Sequence, residues 1–271
     1  MKRTSVFFCV SMCFLALIFF QFSNKQINPP LDNVYRSINH DVFKDGEVLE
    51  YVIHYGFVDA GTAKIELKQS KSSFYGRNVL HSIGTAKSLG AFDWFFKVRD
   101  RYETFIDQDG VFPLRFVRNV NEGGYKINQD YRFNQEKNMV FNQKNESHSV
   151  PVYVQDMLSS FYYARTLDYK NAKKGDVFVI NSYVDDKLFP IKIKFKGIET
   201  IEIRNGKYRC YLFNPVVQTG RVFKHEDDCN FYITCDQNKI PLLIEAKLMV
   251  GSVRMELDTY KGLKEPISKV N

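Results

Sequence analysis

The sequence predicts a mainly β protein: one large curved antiparallel sheet, or half-barrel, with a single central helix packed on it. Three observations carry that prediction. Short runs of alternating apolar and polar residues recur along the chain between Gly, Asn and Asp turn signals, and they number about twelve to fourteen. The aromatic content is 24 Phe and 16 Tyr against one Trp, a balance that suits pleated strands. Outside the N-terminus only residues 155–166, QDMLSSFYYART, have helical spacing. Strands and helices do not alternate, which excludes Rossmann, TIM-barrel and P-loop layouts.

The chain opens with Lys2-Arg3, an apolar run over residues 5–22 and a polar exit at Ser23-Asn24-Lys25. A basic start followed by an apolar core is the pattern of a secretory signal. The run also approaches the roughly 20 residues that span a bilayer, and no small-x-small cleavage site stands near Ser23. Residues 1–24 therefore read as a signal peptide or as an uncleaved N-terminal membrane anchor. Both place the domain outside the cytoplasm, periplasmic or tethered to the membrane. Val10-Ser11-Met12 before Cys13 lacks the small residue that lipid attachment needs. Residues 25–41, with Pro29-Pro30, form an extended linker, residues 42–262 a single β-rich domain, and residues 263–271 a tail expected to fray.

Within the domain, residues 48–57 and 62–67 read as a hairpin turning at Asp59-Ala60-Gly61, and residues 79–85 continue the pattern. Residues 89–98, LGAFDWFFKV, are the most aromatic run, and Gly90 and Asp93 mark them as a loop. Strands follow at 101–106, 112–117, 125–133 and 139–141. In the helix, Met157, Leu158, Phe161 and Tyr162 share one apolar face, with Asp156 in the first turn and Arg165 in the last, both favourable to the helix dipole. Beyond it, strands are expected at 177–183, 188–195 and 200–203. The last ends at Arg204-Asn205-Gly206, a strong hairpin signal. Residues 207–213, 230–235, 240–250 and 252–257 complete the set.

Without Lys2 and Arg3, 36 basic residues face 31 acidic ones, scattered rather than clustered. That mild excess, with no basic block and no RNA-binding aromatic signature, argues against a nucleic-acid partner. No G-x-S-x-G, H-E-x-x-H or G-x-x-x-x-G-K-[ST] motif occurs, so no enzyme class and no cofactor is indicated. Paired carboxylates for hydrolysis stay open, because their separation in space is not written in the sequence. The contiguous run His225-Glu226-Asp227-Asp228 and the pair Asp185-Asp186 read as solvated turns rather than metal sites. His40, His54, His81 and His148 are scattered and read as structural. Cys229 and Cys235 lie too far apart along one strand to bridge. Cys210 bonded to either, or a set of reduced thiols, both remain open.

Two groups stand out as candidate ligand-binding residues. Phe92, Trp94, Phe95 and Phe96 would line or lid an apolar cavity, or meet a membrane surface; ordinary core packing is the alternative. Arg99 and Arg165 would offer guanidinium forks to a head group or carboxylate, with structural ion pairing as the alternative.

The order of landmarks resembles domain-of-unknown-function family 3108. Gly46-Glu47, Tyr51, Tyr55-Gly56, Ala60-Gly61 and Val98-Arg99-Asp100 carry the likeness first. The strongest piece is Asp156 to Arg165, DMLSSFYYAR, followed by Gly175, Gly206-Lys207-Tyr208-Arg209-Cys210 and Pro241. The resemblance implies an exported, β-rich protein. By analogy, such a fold looks like the half-barrels of periplasmic lipoprotein carriers, in which a curved sheet and a helical lid enclose an acyl chain. The expected function is thus non-enzymatic binding of an apolar or amphipathic, lipid-like molecule in the cell envelope. An envelope structural or adaptor protein that binds other proteins is the second expectation, and a hydrolase of envelope glycans or lipids the third.

Overall fold

A computed structural model describes residues 35–216, 225 and 228–270. The leader, the linker up to residue 34, Glu226 and Asp227 lie outside the described residues.

The chain forms β1 (Val48–Tyr55), β2 (Val58–Gln69), β3 (Val79–Ser88), helix α1 (Gly90–Phe95), β4 (Arg99–Asp107), β5 (Pro113–Glu122), β6 (Tyr125–Asn134), β7 (Met139–Phe141) and β8 (Ser147–Ser149). Then come α2 (Met157–Thr166), β9 (Val177–Val184), β10 (Lys187–Ile203), β11 (Gly206–Pro215), β12 (Cys229–Thr234), β13 (Pro241–Lys247) and β14 (Ser252–Lys261). All 14 strands join one sheet in the order β8-β7-β6-β5-β4-β3-β2-β1-β14-β13-β12-β11-β10-β9. The first strand is therefore central. The chain meanders outward to β8, crosses by α2 to the far edge, and meanders back until β14 pairs antiparallel with β1. The sheet is an open half-barrel, as the alternation predicts. Its curl brings the far edge home: Gln155 makes a parallel bridge to Ser182, and Asp185 of the β9–β10 turn accepts a 2.9 Å hydrogen bond from Arg118 of β5.

Helix α2 lies against the inner face with Leu158, Tyr162 and Arg165 buried, while Met157 and Phe161 are partly covered. Asp156, expected in the first turn, is instead the N-cap. Its carboxylate accepts from the Leu158 and Ser159 amides, each at 2.8 Å, and Ser159 Oγ accepts from the Asp156 amide at 2.8 Å. This closed capping box satisfies the Leu158 and Ser159 amides at a buried helix start. Thr104 of β4 donates to the same carboxylate and ties the cap to the sheet. Gly84 on β3 makes the approach possible, since a Cβ there would stand 3.2 Å from Leu158 Cδ2.

Several local expectations change. The first hairpin turns at Gly56-Phe57, not at residues 59–61, and Gly56 supplies the positive φ that a two-residue hairpin needs. Gly61 instead lies within β2, where a Cβ would meet the Lys87 carbonyl oxygen at 2.7 Å; its missing side chain serves a close strand approach. The aromatic run holds the short helix α1 rather than a loop. Residues 188–195 and 200–203 merge into one strand, β10, with an irregularity between Phe195 and Gly197. The tail does not fray: Leu263 and Ile267 pack on the core, and the Val270 amide donates to the Lys207 carbonyl at 2.8 Å. Cys210 and Cys235 are reduced thiols. Among the described residues, the sheet, the two helices and the core clusters lie within residues 35–270 and pack on one another.

Candidate functional site: an apolar cleft on the inner face of the sheet

The cleft exists because several inward positions carry almost no side chain. Ala63 of β2 stands opposite Ala86 of β3, and Ile65 stands opposite Gly84. Sheet and helix cannot close over such small residues, so a trough remains under Met157 and Leu158. Tyr51 and Ile53 of β1, Tyr102 of β4, and Val253 and Met255 of β14 form its walls, and about 810 Å³ of space lies along it, open solvent included. Past Ile53, Ala86 and Val98 the trough runs on into a second lobe of about 360 Å³, lined by Ala60, Gly61, Phe92 and Phe96.

One ionisable group stands out on the apolar wall. Asp100 pairs with Ala86 across β3 and β4, so both point to the inner face. Burial raises its carboxyl to about 7, the neighbouring Glu122 carboxylate and a hydrogen bond to it add to the rise, and a 3.0 Å bond from the Asn121 amide and the Arg118 charge oppose it. Glu122 is itself buried, and among the described residues its Oε1 has no hydrogen-bond partner. Arg118 follows on the same face. Its guanidinium donates to Gln129 at 3.3 Å and to Asp185 at 2.9 Å, while its Nε is unpaired. With its carboxyl raised to about 7, Asp100 can both donate and accept a hydrogen bond near neutral pH.

The structure divides the six residues nominated from sequence. Phe92 and Phe96 line the second lobe. Trp94, at 90% exposure, and Phe95 point outward and line neither lobe. Arg99 sits opposite Lys87, hence on the outer face, and its guanidinium grips Asp93 at 2.6 and 3.1 Å. Arg165 is buried at 1% exposure in a two-pronged pair with Glu47, at 2.6 and 2.8 Å. Neither arginine faces the cleft, so the expectation that they steady a head group is corrected: one braces α1 and the other braces α2. The groups missed were Asp100 and Glu122. The signal was there in Arg99-Asp100-Arg101, because on a strand the middle residue faces away from its neighbours.

His54 pairs with Asp59 at 2.7 Å and His81 with Glu103 at 2.8 Å, both structural. Asp185, read as a solvated turn, is half exposed yet closes the curl through Arg118. Among the described residues no cluster of three or more His, Cys, Asp or Glu could hold a metal ion. None of their helices is long and apolar enough to cross a membrane.

Fold and cleft together define an antiparallel half-barrel with an apolar trough beneath a crossing helix. The chain belongs to the family described as "Protein of unknown function (DUF3108)", whose profile matches residues 50–258. Its structure is similar to the crystal structure of a β-barrel-like protein of domain of unknown function DUF1849 from Brucella abortus. There the identity is 11% and the TM-score 0.52, with 81% of this chain and 98% of that one covered. A DUF1089 family protein from Pseudomonas aeruginosa aligns more loosely, at 7% identity and a TM-score of 0.28, over 83% of this chain and 95% of that one. Only the first likeness bears on this chain, and at that identity it concerns fold alone. No curated protein matches the chain.

Proposed function

We propose that this is an exported, non-enzymatic protein that holds an apolar or amphipathic, lipid-like ligand in the trough between sheet and helix. The single observation that carries the reading is the two-lobed cleft, apolar on nearly every wall and floored by Ala63, Gly84 and Ala86. Apolar walls with very few polar groups are what a ligand pocket presents, the walls supplying affinity and the polar group orientation. The leader read from the sequence supports export. The polar end of the ligand meets Asp100, not an arginine, so a hydroxyl or amine suits the site and an anionic head does not.

The test is native mass spectrometry of the domain from Asn33 onward, exported into a bacterial periplasm, purified without detergent and then extracted with organic solvent. An added mass that extracts as a lipid is expected, and Ala86→Phe, which fills the waist shared by the two lobes, should abolish it while the fold persists. A bare polypeptide mass, or a ligand retained in full by Ala86→Phe, overturns the proposal.

A further inference from the structure

We infer that the end of the sheet where α1 lies is a docking surface for a phospholipid bilayer with anionic head groups. Four connections reach this end side by side: the β5–β6 turn, α1 between β3 and β4, the β1–β2 turn and the β13–β14 turn. They touch in sequence along the rim. The Gly123 amide donates to the Lys97 carbonyl, and the Leu89 amide donates to Ala60, each at 2.9 Å. The Tyr55 ring stands 6.0 Å from Phe92, and its hydroxyl donates to the Val250 carbonyl at 3.0 Å.

Their tips carry side chains that a water-facing turn does not need. Phe57 and Trp94 are almost wholly exposed, and Phe95, Tyr125, Met249 and Val250 are each about half exposed or more. Among the described residues, four of the five large aromatic side chains with more than half their surface in water stand here; Tyr75 is the exception. Scattered apolar side chains are ordinary on a surface, but a row of them along one edge marks an interface.

The chemistry of the row selects the partner. Phe57, the Trp94–Phe95 pair and Tyr125 stand on three separate connections and make a line of knobs rather than a groove or flat patch, which suits a fluid interface better than a shaped protein surface. Lys97, Lys126 and Lys247 stand exposed between the knobs. Two nearby acids are matched: Asp59 lies 2.7 Å from His54, and Asp93 lies 2.6 Å from Arg99. An aromatic edge interleaved with lysines complements anionic head groups over an apolar interior. The second lobe of the cleft reaches this same rim at Phe92 and Phe96. Docking depends on the tips themselves, whether or not the trough holds a ligand.

Trp94 is the only tryptophan in the protein, so its fluorescence reports from the middle of the row without labelling. The experiment titrates the domain from Asn33 onward with vesicles of phosphatidylglycerol and phosphatidylcholine, with phosphatidylcholine alone, and with brominated phosphatidylcholine in the anionic mixture. Expected are a blue shift with anionic vesicles, quenching by the brominated chains, and loss of both at high salt. Lys97→Gln, Lys126→Gln and Lys247→Gln should each weaken binding about fivefold. Phe57→Ser with Val250→Ser should remove the quenching while circular dichroism stays unchanged. An unshifted spectrum at large lipid excess overturns the inference, as does binding that survives all these variants. A shift that grows with protein concentration in the absence of vesicles overturns it too, and assigns the rim to a second copy of the chain.

Discussion

Breaking the Arg165–Glu47 pair is the perturbation that most sharply separates a structural arginine from a ligand-binding one. Arg165 spends its whole guanidinium inside the fold: two bonds to Glu47, one of 3.0 Å to the Asn238 carbonyl and one of 3.2 Å to the Val42 carbonyl. It also lies against the rings of Phe43, Phe161 and Tyr162 at 5.4–5.6 Å. The pair thus clamps α2 to the segment before β1 and to the β12–β13 turn. Both side chains are 1% exposed, so removing one partner strands a charge where water cannot reach it. Such losses cost about 3–5 kcal/mol. For a chain of this size that lowers the melting temperature by about 10 °C. Arg165→Met and Glu47→Gln should each show a loss in this range by urea denaturation. The double variant Arg165→Met/Glu47→Leu should recover more than half of it, because two apolar side chains leave no stranded charge. Ligand retention by the folded double variant should be unchanged. Single variants that cost less than about 1 kcal/mol, or a stable double variant that loses its ligand, would refute the reasoning.

The remaining predictions concern carboxyl groups whose burial raises their pKa. Asp100 titrates near 7 in the folded chain but near 4 when unfolded, so the folded state keeps a proton that the unfolded state releases. Stability contributed by this group therefore falls from about pH 4 to about pH 7 and levels off above. Asp100→Asn should flatten that slope and raise stability at pH 8 by about 2 kcal/mol, part of the full linkage value because Arg118 and solvent relax around the charge. Superimposable profiles for the two proteins would dismiss the carboxyl pair. Asp156 behaves likewise, with burial lifting it to about 6, so its own contribution falls from about pH 4 to about pH 6. Asp156→Ala, which strips the cap from two amides and from Thr104, should cost about 2 kcal/mol in urea denaturation at pH 5. Asp156→Asn should cost less than half as much, and equal losses would mean that the cap is not what matters.

Much of the architecture was legible because strand alternation is local. In β14, Val253, Met255 and Leu257 are buried on alternate positions, and that period of two is written in the residues themselves. The helix was legible for the same reason, since Leu158 and Tyr162 are one turn apart. Turn chemistry was less reliable where one residue type serves two purposes. Asp59-Ala60-Gly61 looked like a turn, but Gly61 is there to let Lys87 approach, a need that arises only once β3 is in place. Residues 90–95 wind into a helix between two paired strands, with no apolar period to announce it.

What the sequence determined by itself, then, was the set of strands, the crossing helix and the aromatic character of the chain, each set by neighbours along the backbone. What only the tertiary structure decided was the site. A cleft is an absence, made where Ala63, Gly84 and Ala86 from different strands fall side by side beneath α2, and no spacing along the chain announces an absence. Partners were decided in the same way. Arg165 meets Glu47 from 118 residues away, and Asp100 meets Glu122 only because β4 and β5 pair in register. Charge pairs and cavities depend on distances in space, and the folded sheet sets those.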